Sequence, residues 1–259
     1  MLLKEVIAKI DLCCPFALQE EWDNSGLQIG DPAANIDRVL LAFDFTEAVL
    51  AEAVAKKAEL IITHHPFFFQ GVKRIDLSTS KGKMIAGLLQ QNIAVVACHT
   101  SLDKMAYGVS AALGNRLNLQ DCAVFLPEDS GLGFGMMGYL RQETSFGDFI
   151  EMVKKNLNLD ALRFVGDPTA PVKKAVVMGG AGAEFMAEAK HQGADVYVSA
   201  DFKYHDAQAA QEMGLSIIDA GHFGTEVVVL KPFMQKLAAA MPALAFMSST
   251  QSGDFWSYR

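Results

Sequence analysis

Apolar and polar positions along the chain fall into two kinds of run. RVLLAF, ELIITHH and IAVVACHT are short, nearly continuous apolar stretches ending on polar residues, and each reads as a buried strand. Between them, EAVLAEAVAKKA and KMIAGLLQQ repeat apolar residues every three or four positions, the spacing of a helix with one buried face. The same order returns later as KAVVMGG, AEFMAEAKHQGA, DVYVSAD, HDAQAAQEM and LSIIDAGH. Val39 to His64 is 25 residues, as is Val176 to Asp201. Two βαβαβ units predict an α/β fold of two pseudo-symmetric lobes around a central crevice. The boundaries expected are a first lobe over 1–126, a connector or small appendage over 127–170, and a second lobe over 171–259.

The halves differ in length after the second strand. His64 to His99 is 35 residues and Asp201 to His222 only 21, so FFFQGVKRIDLSTSKG reads as a loop insertion, with Phe67, Phe68 and Phe69 expected in the core. The connector holds PEDSGLGFGMMGYL, a helix-like FGDFIEMVKKNL and an extended LRFVGDPTAPVKK. The tail MPALAFMSSTQSGDFWSYR predicts a final strand and a docking contact through Trp256 and Tyr258.

Composition narrows the function classes. With 51% hydrophobic and 20% charged residues, nearly the whole chain is expected to be ordered. A net charge of -8 argues against general nucleic-acid binding, which needs a positive surface. Cys13, Cys14, Cys98 and Cys122 lack CxxC spacing and read as the reduced thiols of a cytoplasmic protein. MLLKEVIAKIDLCCPF carries acids where a signal peptide would be apolar, and no apolar run reaches membrane-spanning length.

The candidate chemistry gathers at strand ends, where the carboxyl edge of a parallel sheet opens into a ligand crevice. Asp103 follows His99 by four residues, and Glu226 follows His222 by four, so a helical turn after each strand would put imidazole and carboxylate on one face. Such pairs suit a divalent ion. The adjacent His64 and His65 can serve one site only if the strand has ended there, and Pro66 favours that. Each residue alone has a plainer reading as a turn-capping histidine or helix-capping acid. His205 is a candidate general base and Lys203 a candidate phosphate or carboxylate partner, against a solvent-facing helix start. His191 needs no more than a helix C-terminus. Trp22, Asp23, Asn24 and Gly26 form either a loop lining the site or a structural turn. Neither GLGFGMMG nor MGGAGAEF has GxxxxGK[ST], MGGAGAEF lacks the full GxGxxG pattern, and no GxSxG motif is present.

In this order, EWDNSGLQIG, THHPFFF, HTSLD, SADFKYHDA and GHFGTE resemble the Nif3-like dinuclear-metal proteins, often labelled GTP cyclohydrolase 1 type 2 homologues, over almost the whole chain. The resemblance implies two divalent ions held by His64, His65, Asp103, His222 and Glu226, with one carboxylate bridging and His99 beside them. It also implies a homohexameric ring with sites facing an inner cavity. Histidine and carboxylate ligands accommodate iron, zinc, manganese or nickel. The function expected is hydrolysis of a nucleotide or related small molecule through a metal-bridged water, with His205 or His99 moving a proton and Lys203 taking phosphate charge. The alternative is a non-catalytic metal-binding, regulatory or scaffold protein.

Overall fold

The computed structural model describes residues 1–257; Tyr258, half of the docking contact expected of the tail, lies outside the described residues. The chain divides into two compact units, each with its own sheet. The first comprises Met1–Leu102 and Leu230–Gly253, and the second Asp103–Val229 with the described residues from Asp254 onward.

The first unit contains α1 (Leu3–Cys13), β1 (Gly26–Ile29), β2 (Arg38–Ala42), α2 (Glu47–Lys56), β3 (Leu60–Thr63), α3 (Ser80–Gln91) and β4 (Ala94–Ala97). The short α4 (Thr100–Asp103) follows, its last residue being the first of the second unit. The second unit contains α5 (Val109–Arg116), β5 (Gln120–Pro127), β6 (Gly133–Ser145), α6 (Phe146–Leu157), β7 (Arg163–Val165), β8 (Pro171–Ala181), α7 (Met186–His191), β9 (Val196–Ala200), α8 (Tyr204–Met213), β10 (Ser216–Asp219) and α9 (His222–Glu226). The chain then returns to the first unit as α10 (Leu230–Ala240) and β11 (Ala245–Ser248).

In the first sheet the order is β1-β4-β3-β2-β11, with β11, β2, β3 and β4 parallel and β1 antiparallel at the edge. Every residue of β3 and β4 is buried, as expected of parallel strands covered on both faces. The helices between them start and stop on local signals. Thr46 and Thr79 cap α2 and α3 through their hydroxyls, and both helices end on a left-handed residue, Lys57 and Asn92. Leu40, Val49, Ile61, Ile85, Leu88 and Val95 form the core with Phe67. Phe69 departs from the expected packing and is 49% exposed, because the chain has left β3 by then and carries it outward into the inserted loop.

The second sheet runs β5-β6-β8-β9-β10-β7, with β8, β9 and β10 parallel and the other three strands antiparallel to their neighbours. Alternation places Val177, Val198 and Ile218 in one core with Phe146, Phe149 and Val153 of α6, and Val176, Tyr197 and Ile217 in another with Phe125 and Phe202. Each large apolar side chain so buried contributes roughly 1.5–3 kcal/mol.

The observed limits differ from the expected ones at 126 and 170. Residues 127–170 belong to the second unit and give its sheet β6 and β7, because β6 hydrogen-bonds along β8 and β7 along β10. The glycine-rich GLGFGMMG contributes to strand β6. The tail returns to the first unit because β11 pairs with β2. The internal repeat also extends further than three strands: β1 precedes β2 and pairs antiparallel with β4, just as β7 precedes β8 and pairs antiparallel with β10. Among the described residues, no helix is long and apolar enough to cross a membrane.

Glu52 of α2 holds the tail beyond β11. Its carboxylate accepts hydrogen bonds from Lys56, Ser249, and the backbone and hydroxyl of Thr250. Burial would raise its pKa, but these hydrogen bonds prevail and hold it down to about 2. A depressed folded-state pKa gives stability that is present above the ordinary glutamate range and lost as pH falls from about 4.5 toward 2. Glu52→Gln is therefore expected to be less stable than the parent at pH 7 by about 1–2 kcal/mol, after discounting for proximity to solvent. In urea titrations the difference should shrink as pH falls through that window.

Candidate metal centre

Strand register brings the first group of side chains together. Ala42, Thr63 and Ala97 are partners across β2, β3 and β4, and each strand ends there. The second residue past each is Asp44, His65 and His99, so all three emerge along one carboxyl edge. His64 joins them because the strand has ended: the backbone N–H groups of His64 and His65 both point to the carbonyl of Phe43. Ring centroids stand 4.9 Å apart for His64 and His65, 5.3 Å for His64 and His99, and 5.2 Å for His65 and His99. One ligand nitrogen from each of the three lies within 4.8 Å of the others.

Each ring is held from behind. Nδ1 of His64 lies 2.9 Å from the carbonyl oxygen of Cys98, that of His65 2.8 Å from Asp44, and that of His99 2.8 Å from Asp23. An oxygen of this kind can only accept, so Nδ1 carries the proton and, in a neutral ring, Nε2 carries the lone pair. This is the arrangement by which an outer carboxylate or carbonyl fixes a metal-binding imidazole. Apolar rings wall the cluster: Phe43 stacks on His64, while Trp22 and Phe69 set their edges against His99.

Asp23 does more than a turn requires. Its side chain is fully covered, and besides His99 it accepts from the backbone and hydroxyl of Thr100, the backbone of Asn24 and the hydroxyl of Ser25. Of the two sequence readings of this loop, the one that lines the site describes it. Asp44 escapes the sequence reading; a carboxylate two residues past a buried strand, matching His65 in register, is the signal that marks it.

The second unit builds a related arrangement. His222 opens α9 just past β10, and its Nδ1 is 2.8 Å from Asp201, which stands at the end of β9 with a left-handed backbone. Its Nε2 is 3.0 Å from Oε2 of Glu226, one helical turn on, as the four-residue spacing predicts. Two donors bound at about 2.1 Å and a right angle to one ion would stand about 3 Å apart, so the pair fits a shared divalent cation. Glu226 is 4% exposed and is seated against the glycines that end β8. A Cβ at Gly180 would stand 2.2 Å from Glu226 Oε1.

The remaining sequence candidates are placed as follows. Asp103 is the last residue of α4 and half-buried. Lys203 and His205 are exposed at the start of α8, with Lys203 donating its backbone N–H to Asp206 and His205 Nδ1 3.3 Å from Gln208. His191 is exposed at the end of α7.

Comparison with known proteins identifies the family. The profile of the family described as Duf34/NIF3 (NGG1p interacting factor 3) matches residues 1–253. A Clostridium perfringens protein named GTP cyclohydrolase 1 type 2 homolog is 34% identical over 257 residues, covering 98% of this chain and 98% of its own. A protein of the same name from Clostridium acetobutylicum is 32% identical over 242 residues, 92% of this chain and 90% of its own. The crystal structure of a Bacillus cereus protein related to NIF3 matches with a TM-score of 0.95 at 26% identity, over 100% of this chain and 99% of that one. Matched along nearly its whole length in both sequence and fold, this chain belongs to the Duf34/NIF3 family.

Proposed function

We propose that this protein holds two divalent metal ions through His64, His65, Asp103, His222 and Glu226 and hydrolyses a nucleotide or related small molecule. The observation that carries the reading is the fixing of each site histidine at Nδ1 by an oxygen, in a cluster of three in one unit and beside Glu226 in the other. Isolated turn-capping histidines have no need of such support. Bound there, divalent ions supply Lewis acidity and make water a nucleophile at neutral pH. The chain's own contribution is to hold the imidazoles in one tautomer and to wall them with Phe43, Trp22 and Phe69. In this reading His99 or His205 moves the proton to the leaving group, and Lys203 takes anionic charge on the substrate. Self-assembly into a homohexamer belongs to the same reading.

Elemental mass spectrometry on untagged protein, purified without chelator, tests it. About two metals per subunit are expected, falling to about one or fewer in Asp103→Ala. Product formation across a nucleotide and phosphoester screen should then follow metal content. A ratio unchanged by the substitution removes Asp103 from the ligand set, and full loading without turnover favours the regulatory or scaffold alternative.

A further inference from the structure

A recess in the second unit is lined by Ala161, Leu162, Arg163, Asp201, Asp219, Gly221, His222 and Trp256, with a volume of about 380 Å³. It adjoins His222 yet is built mainly from residues outside the metal centre. Arg163 of β7 stands opposite Asp219 in the sheet register and pairs with it through Nη2, which also donates to the carbonyl of Phe202 at 3.1 Å. A guanidinium has five N–H donors in a fixed plane, so this anchorage orients the fork while its side chain stays 73% exposed. Asp201 accepts from His222 Nδ1 through Oδ2, and its side chain is 51% exposed. Trp256 is 75% exposed. A tryptophan left so open on the wall of a recess offers a stacking face.

Charge decides what the recess would take. Arg163 is matched by Asp219 and Asp201 faces His222, so no unmatched cation remains among the lining residues to attract a phosphate. What the walls offer is a donor fork, an acceptor carboxylate and an aromatic face. We propose that this recess seats a neutral planar heterocycle with adjacent ring N–H and C=O groups, stacked on Trp256, its C=O accepting from Arg163 and its N–H donating to Asp201. The lactam edges of uracil and hypoxanthine have that pattern. The proposal rests on the metal-dependent reading above and names the part of the substrate held next to His222.

The test uses inosine and uridine, with adenosine and ribose 5-phosphate as comparators, on the full chain both chelated and metal-loaded. Inosine and uridine are expected to give saturable calorimetric binding and to quench tryptophan fluorescence, with quenching lost in Trp256→Phe while binding persists. Trp22 remains as the internal reference. Trp256→Ala should weaken binding about tenfold, the scale of stacking one base on an aromatic side chain. Arg163→Lys, which keeps the charge and loses the fork, should weaken inosine at least as much. Unchanged affinity in both variants, or ribose 5-phosphate binding as tightly as inosine, overturns the proposal. Inosine binding by protein that never takes up metal would sink the metal reading and leave the seat standing; metal loading without nucleoside binding would sink the seat alone.

Discussion

Asp23→Ala is expected to destabilise the protein by about 3–5 kcal/mol, the scale for removing a buried charged partner, and to weaken metal binding by less than the roughly 10–100-fold that losing a ligand's own support costs, since His99 stands beside the proposed ligands. The carboxylate gathers His99 Nδ1, both donors of Thr100, the Ser25 hydroxyl and the Asn24 backbone N–H, and without it those groups lose a shared acceptor in a covered space. Burial would push its pKa up, yet hydrogen bonds from His99 and Thr100 hold the carboxyl well below the usual range. Its contribution is therefore present above the ordinary aspartate pKa and lost only on deep acidification. Asp23→Asn separates the two effects. The amide keeps the volume but sets an NH2 among donors, so packing should partly recover and the hold on His99 should not. Thermal unfolding and metal titration of both variants check this; unchanged metal affinity in Asp23→Ala would remove His99 from the metal's surroundings.

Gly180→Ala is expected to reduce metal affinity by an order of magnitude or more. The new methyl group would stand 2.2 Å from Glu226 Oε1 and 3.2 Å from His222 Cε1, so the carboxylate would have to leave its place beside His222 Nε2. Gly180 also has φ 67°, and a left-handed backbone costs an alanine about 1–2 kcal/mol by itself. Gly193→Ala isolates that strain, since Gly193 has φ 77° and nothing within 4 Å of an added Cβ. Both variants should lose similar stability from the backbone, and only Gly180→Ala should lose metal. Equal metal affinity in the two would show that Glu226 needs no such seat.

Much of this was legible in the residues. The parallel strands announce themselves as apolar runs because both their faces are buried, and equal spacing of Val39–His64 and Val176–Asp201 exposes the repeat. The four-residue interval from His222 to Glu226 reads directly as one helical turn. Among the edge strands β1 is hidden, being only four residues with a glycine and a glutamine and no period, while the three residues of β7 read as extended without showing their pairing with β10. The glycines of β6 resemble a loop until β8 is seen to pair with it. Asp23 could not be ranked from sequence, because its meaning lies in a hydrogen bond to a residue 76 positions away. Trp256 looks like an ordinary docking aromatic until the recess beside Arg163 is seen.

The return of the chain to the first unit sets an order on synthesis. β2 lies inside its sheet only once β11 pairs with it, and β11 comes from residues 245–248, after every strand of the second unit. On the ribosome the later-encoded unit therefore has all its strands before the earlier one. Until then β2 offers an unpaired edge of buried apolar residues, the kind of surface that invites pairing with another chain. The nascent protein's exposure to chaperones and to misassembly is thus concentrated in its oldest residues.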